Sequence, residues 1–178
     1  MEVSQAAARE AARKLTELTS PTPESSGRVI EFSDREIDSY LFYQVAALYP
    51  KGLDEVRVRI LDKSLQAKAK VNFDELQAGI KAGKLTVMSS LFSGVHEVEL
   101  TGQVTTGKGV GSYKILGLSL DQSDIPRPLI DLLVRRFLVT KYPDAAPDTA
   151  FALPYGIERI ECTLGKLSIY RGRSSSPA

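Results

Sequence analysis

Tryptophan is absent from this chain of 178 residues, cysteine and histidine occur once each, and the formal net charge is +1. Each shortage closes off a class of function. The lone Cys162 excludes an intramolecular disulfide, although it says little about compartment. The lone His96 cannot build a multi-histidine metal site. Strand alternation also sets it on the opposite face from Glu97 and Glu99, so neither a zinc ligand nor a general base is assigned to it. A charge this close to neutral removes any whole-chain argument for nucleic acid. Long apolar runs are missing too. The greasiest stretch, 125–143, is short and carries Arg135 and Arg136 in its middle, each costing ~2.5–3.5 kcal/mol in hydrocarbon. The start, 1–6, has neither a basic n-region nor an apolar h-region, so no signal peptide is read there. That leaves a cytoplasmic protein and one placed after a removed leader both open.

What is present is organised around that greasy stretch. Pro126 suits the first helical position, Pro128 still falls in the first turn, and Pro143 forbids continuation, which predicts a helix over 126–142. It would be about 25 Å long at ~1.5 Å per residue. Leu129, Ile130, Leu133, Val134 and Phe137 form one apolar sector, and Leu132 and Val139 form a second beyond Arg136. A stripe that wide needs strands on one side and, on the other, a second helix, a partner or a bound apolar molecule.

Along the rest of the chain, 1–19 reads as an alanine-rich amphipathic helix with Val3, Ala7, Ala11, Leu15 and Leu18 on one face, either docked on the body or detached as a spacer. Residues 20–27 form a linker by composition, 28–171 a single domain, and 172–178 a disordered tail. A strand over 28–32 is followed by Ser33-Asp34-Arg35-Glu36, a capping box opening a second helix with Ile37, Leu41, Val45 and Leu48 inward. The clearest hairpin turns at Asp62-Lys63. It pairs Val56 with Ala69, Val58 with Ala67 and Ile60 with Leu65 on one face, and Glu55 with Lys70, Arg57 with Lys68 and Arg59 with Gln66 on the other. A short helix is expected over 73–84 and a helix or flap over 85–92. Strands follow over 95–105 and 112–120, the latter with Tyr113 and Ile115 opposing Leu116, Leu118 and Leu120. Strands over 157–164 and 167–170 close the chain through a Gly165-Lys166 turn. The expected fold class is α+β: a curved antiparallel sheet wrapped on the long C-terminal helix, with additional helices at the N-terminus.

No motif for catalysis survives inspection. Residues 102–109 approach a phosphate-binding loop, but Gly109 stands where Ser or Thr must reach magnesium, and the context is a strand hairpin. Asp34, Glu36 and Asp38 are accounted for by a helix N-terminus. Cys162 reads as a buried structural thiol. No enzyme activity, cofactor or metal is expected. Arg57, Arg59, Lys63, Lys68 and Lys70 make the one basic patch of note, either a solvated sheet face or a contact for anionic headgroups or RNA. No aromatics interleave with it, which argues against stacking on single-stranded nucleic acid. More telling are small residues on the strands: Ala67, Ala69, Gly102, Gly111 and Gly117. Close packing means that something else approaches there. It is either the helix itself, or an apolar ligand in a cavity lined by Leu41, Val45, Val58, Leu100, Ile115, Leu129, Leu133 and Phe137.

Three stretches carry a resemblance: Ser33 through Leu41, Ile125-Pro126 through Phe137, and Leu153-Pro154, Gly156-Ile157, Ile160 and 165–169. On these the chain resembles small exported bacterial proteins akin to the tubular lipid-binding (TULIP-like) and related lipoprotein folds, with Asp38 where asparagine is commoner. The resemblance implies export to the periplasm or cell envelope and a lipid or other apolar small molecule as ligand. Contact with a membrane surface and a homodimer are the further partners expected, and nucleic acid is not. The alternative function is a structural or interaction module whose apolar helix face meets a protein partner or a second copy.

Overall fold

The structure is a computed structural model that describes residues 2–20, 27–78, 92–139 and 146–172. In chain order its elements are α1 (Gln5–Thr19), β1 (Val29–Ser33), α2 (Asp34–Tyr40), β2 (Leu53–Leu61), β3 (Ser64–Asn72), α3 (Phe73–Ala78), β4 (Val95–Gly107), β5 (Val110–Leu120), β6 (Ser123–Asp124), α4 (Arg127–Leu133), β7 (Phe151–Ala152), β8 (Ile157–Thr163) and β9 (Lys166–Arg171). The helix after α2 loosens into π geometry over Leu41–Val45, and that after α4 does so over Val134–Val139.

Two antiparallel sheets result. The smaller has the order β1-β9-β8, and the larger runs β2-β3-β4-β5-β6 with β7 on the far end of β5. Helix α1 starts at Ser4, whose side chain accepts the Ala7 N–H, and lays Ala11 and Leu18 on Ile30, Phe32, Ile157 and Ile169 of the smaller sheet. Lys14 pins the contact, donating to Glu36 at 2.6 Å and to the Glu31 carbonyl at 2.7 Å. This is the buried apolar core.

The sheets meet where β8 crosses the hairpin ends of the larger one. Thr106 Oγ1 accepts the Ile160 N–H at 2.7 Å and donates to the Ile160 carbonyl at 2.9 Å, so one hydroxyl stands in for a strand neighbour. The Gly165 N–H donates to the Ile60 carbonyl, the Lys63 N–H to that of Cys162, and the Gly109 N–H to that of Glu158. The free edge of β2 is closed by a helix. Asp34 accepts the Ile60 N–H and Asp38 the Val58 N–H, each at 2.7 Å. Residues four apart on a helix are separated by ~6 Å and alternate residues on a strand by ~6.6 Å, so two carboxylates of one helix face fit two amides of one strand edge. Both aspartates are buried.

Several expectations are met in detail. Ser33 and Glu36 form the capping box reciprocally. The Asp62-Lys63 hairpin pairs Val58 with Ala67, Ile60 with Leu65, Arg57 with Lys68 and Arg59 with Gln66. Past Arg57 the register slips: Glu55 and Val56 bulge, Asp54 stands opposite Lys70, and Glu55 has φ 50°. The Lys70 ammonium still reaches the Glu55 carboxylate at 2.7 Å. A second bulge at Leu116 shifts the phase of β5. Tyr113, Ile115, Leu118 and Leu120 thereby share a face, and Leu116 is left 53% exposed. The last turn is Leu164-Gly165, one residue earlier than expected.

The expected architecture itself is corrected. Among the described residues no curved sheet wraps a long C-terminal helix: they are mostly antiparallel sheet, divided in two, and α4 spans Arg127–Leu133 before π geometry takes over. Residues 140–142 of the expected helix lie outside the described residues, as do 79–91. The reason is the route of the chain. β6 pairs at the outer edge of β5, so the helix that follows starts beyond that edge, touching the strand through Arg127, whose guanidinium donates to the Ile115 carbonyl. Antiparallel hairpins satisfy their own backbone through tight turns and assemble without a helix at their centre. Of α4 only Ile130 is buried, and Leu132 is 48% exposed. The second helix departs too. Its fully buried residues are Asp34, Asp38 and Ser39, because one side of it closes a strand edge; Ile37 packs against the core as expected, while Leu48 is 79% exposed.

Candidate functional site

Cross-strand register assembles the most unusual surface. On one face of the larger sheet, Val58, Ala67, Leu100 and Leu118 make a row across four strands. Ile60, Leu65, Gly102 and Ile115 make the next row, and Ala69, Val98 and Leu120 continue it on the other side. Each row holds one small residue on an inner strand, Ala67 or Ala69 of β3 or Gly102 of β4, next to a bulkier neighbour, Leu100, Val98 or Leu65. We refer to this face, lowered at those positions, as the trough. Ile60 and Ile115 are buried, the others named are part-exposed, and Leu100 at its centre is 36% exposed. An apolar face left this wet at the middle of a sheet is a feature expected of binding surfaces.

At its β5 edge lies a cleft of about 450 Å³, within the range of ligand sites. Ile115 forms its floor on the strand side. Ile130, Val134 and Val139 form the helical wall, and Ala146, Pro147 and Asp148 form the third side. Its charges are mixed: Arg127 pairs with Asp131 at 3.1 Å, and Asp148, which faces Lys114 at 3.9 Å, is held by its own N–H on the Tyr113 carbonyl. Burial pushes the Tyr113 phenol up from its usual range. The cleft is therefore apolar below with cations and anions at the rim.

The residues expected to line a cavity fall in three places. Val58, Leu100 and Ile115 share the trough face. Leu41 and Val45 are half-buried on the π turn beside the β2 edge, and Leu129 and Leu133 are half-buried on α4 beyond the β5 edge. The side chain of Phe137 lies outside the described residues. The structure thus sets the helical candidates at opposite edges of the sheet.

The opposite face carries the basic patch. Lys68 bonds Glu97 at 2.8 Å, Lys70 bonds Glu55, and Gln66 donates to Glu99 at 2.9 Å, so cations and carboxylates alternate there. Cys162 is buried and burial raises its thiol pKa. Among the described residues no three His, Cys, Asp or Glu side chains are grouped to hold a metal.

His96 has a partner that alternation alone did not suggest. Its Nδ1 lies 2.6 Å from Asp121, and its Nε2 lies 2.7 Å from the Ser93 carbonyl. The aspartate–imidazole pair resembles half of a catalytic triad, but with Nε2 on a main-chain carbonyl it presents no lone pair to a substrate. The bulge at Leu116 brings the aspartate there: with Val98 paired to Leu120, Asp121 follows beside Glu97, and its side chain reaches the neighbouring His96. No family model and no curated protein matches this chain.

Proposed function

We propose that this chain is a non-enzymatic binding protein that takes the apolar part of a lipid or similar small amphiphile. The ligand lies along the trough and against the 127–139 helical segment at its edge. The carrying observation is the part-exposed row Val58–Ala67–Leu100–Leu118, a sheet face with small residues where core packing would place bulk. The adjoining cleft gives a polar head mixed-charge company at Arg127 and Asp131. Export to the cell envelope, contact with a membrane surface and kinship with TULIP-like proteins enter this proposal from the resemblance of motifs.

A second reading is favoured by Leu132 and Leu116, both half-exposed near the same edge: an interaction module that meets a protein partner or a second copy there. Native mass spectrometry after gentle purification separates the two. The lipid proposal expects a lipid-sized adduct that organic extraction removes, and uptake of a fluorescent anilinonaphthalene sulfonate probe by the extracted protein. Ala69→Trp, which fills the trough, should suppress that uptake. A bare monomer mass with no probe uptake sinks the lipid proposal, and a ligand-free dimer replaces it with the second reading.

A further inference from the structure

Both ring nitrogens of His96 face groups that only accept hydrogen bonds, a carboxylate at 2.6 Å and a main-chain carbonyl at 2.7 Å. A neutral imidazole has one N–H and satisfies one of them; the imidazolium satisfies both. The partner is itself held in an unfavoured shape. Asp121 and Gln122 have φ of 48° and 68°, two successive left-handed residues in a turn that asparagine and glycine normally occupy. What keeps Asp121 there is a set of bonds to β4: its Oδ1 accepts the Glu97 N–H and its own N–H donates to the Glu97 carbonyl, each at 2.8 Å. On the other flank, Asp74 of α3 accepts the Gly94 N–H at 3.0 Å, and the Phe73 ring lies 5.8 Å from the imidazole and 5.2 Å from Phe92. Among the described residues the charged groups facing His96 are Asp121 and Asp74. The Glu97 carboxylate is turned to Lys68 on the opposite sheet face.

We propose that His96 is a proton-operated clasp that fastens the start of β4 to the approach at Ser93 and to the β5–β6 turn, and through β6 to the root of α4. Closed, it sets the entry of the helical wall of the cleft, because Ile125, just ahead of α4, hangs from the Leu118 carbonyl directly after the clasped turn. Open, it frees one of the two segments. The bond to Asp121, then that to Ser93, raises the imidazole above its ordinary 6.5, and His96 in turn lowers the Asp121 carboxyl. A raised histidine stabilises fully below the unfolded value and loses that contribution as pH rises through the folded one. The clasp is thus shut on the acid side and released on the alkaline side, whether or not the trough holds a ligand.

As the sole histidine, His96 gives a proton resonance that needs no assignment. The clasp expects its titration midpoint above 6.5 in the intact chain, falling toward 6.5 in Asp121→Asn. It also expects either the Gly94 amide beside Ser93 or the Glu97 and Asp121 amides of the turn to lose protection several-fold between about pH 6 and about pH 8.5, after correction for intrinsic exchange, while Ile169 in the smaller sheet keeps its own. A midpoint at or below 6.5, a midpoint indifferent to Asp121→Asn, or equal protection across the titration overturns it. If the variant fails to fold, the wild-type midpoint and exchange decide alone.

Discussion

The two sheets of this protein handle their apolar faces in opposite ways. The smaller presents Ile30, Phe32, Ile157 and Ile169 to α1 and is sealed, while the larger presents Val58, Ala67, Leu100 and Leu118 and stays part-exposed. Composition does not separate them, because both alternate apolar and polar residues. The difference lies in what the chain brings alongside. The core side of the smaller sheet meets a helix with alanines at the contact, which lets backbones come close. The larger sheet meets helices at its two edges, through Asp34 and Asp38 on one side and Arg127 on the other. Stability is thereby concentrated in one layer, and the proposed binding falls to the other.

That division is open to tests, the largest effect first. Phe32→Ala, at a position 4% exposed in the sealed layer, should cost about 3–5 kcal/mol in urea unfolding. Leu100→Ala in the open trough should cost well under half of that, while still weakening apolar probe uptake. Equal losses would mean the trough is ordinary core. Asp34→Ala leaves the buried Ile60 amide without its acceptor and should cost about 1–3 kcal/mol by the same measurement. Thr106→Val removes both bonds of the hydroxyl that joins the sheets and should cost about 1–2 kcal/mol.

The smallest effect is a matter of pH. Burial, outweighing the Val58 N–H bond, raises the Asp38 carboxyl above its ordinary 3.8. The folded state then takes up that proton before the unfolded chain does. Stability from this one group grows as pH falls from its folded value toward 3.8 and is withheld above it. Asp38→Asn keeps an oxygen for Val58 and removes that slope, so the difference between wild-type and variant unfolding curves should flatten toward neutral pH. A variant that unfolds as readily as Asp38→Ala at neutral pH would assign the stabilising role to the charge rather than to the acceptor.

How much of this was legible depends on the distance over which each rule acts. The Ser33 cap and the Asp62-Lys63 hairpin were readable because their partners sit within a few residues. The bulges at Glu55–Val56 and Leu116 were not, since an extra residue in one strand shows only against its neighbour. The apolar pattern of 125–139 promised a central helix, and pattern cannot say where a helix is delivered. The two residues of β6 placed it outside the sheet. Part of the trough could be named in advance, at Val58, Leu100 and Ile115, because alternation sets a side chain's face. The helical candidates could not be placed.

By itself, the order of residues determined the local parts: where helices begin, where hairpins turn, and which side chains alternate on a strand. Those follow from steric and hydrogen-bonding rules acting between near neighbours. Tertiary structure alone decided which sheet would be covered, that two carboxylates of α2 would close a strand edge, and that His96 would meet Asp121 from 25 residues away. Such contacts join groups whose meeting is set by the path of the whole chain.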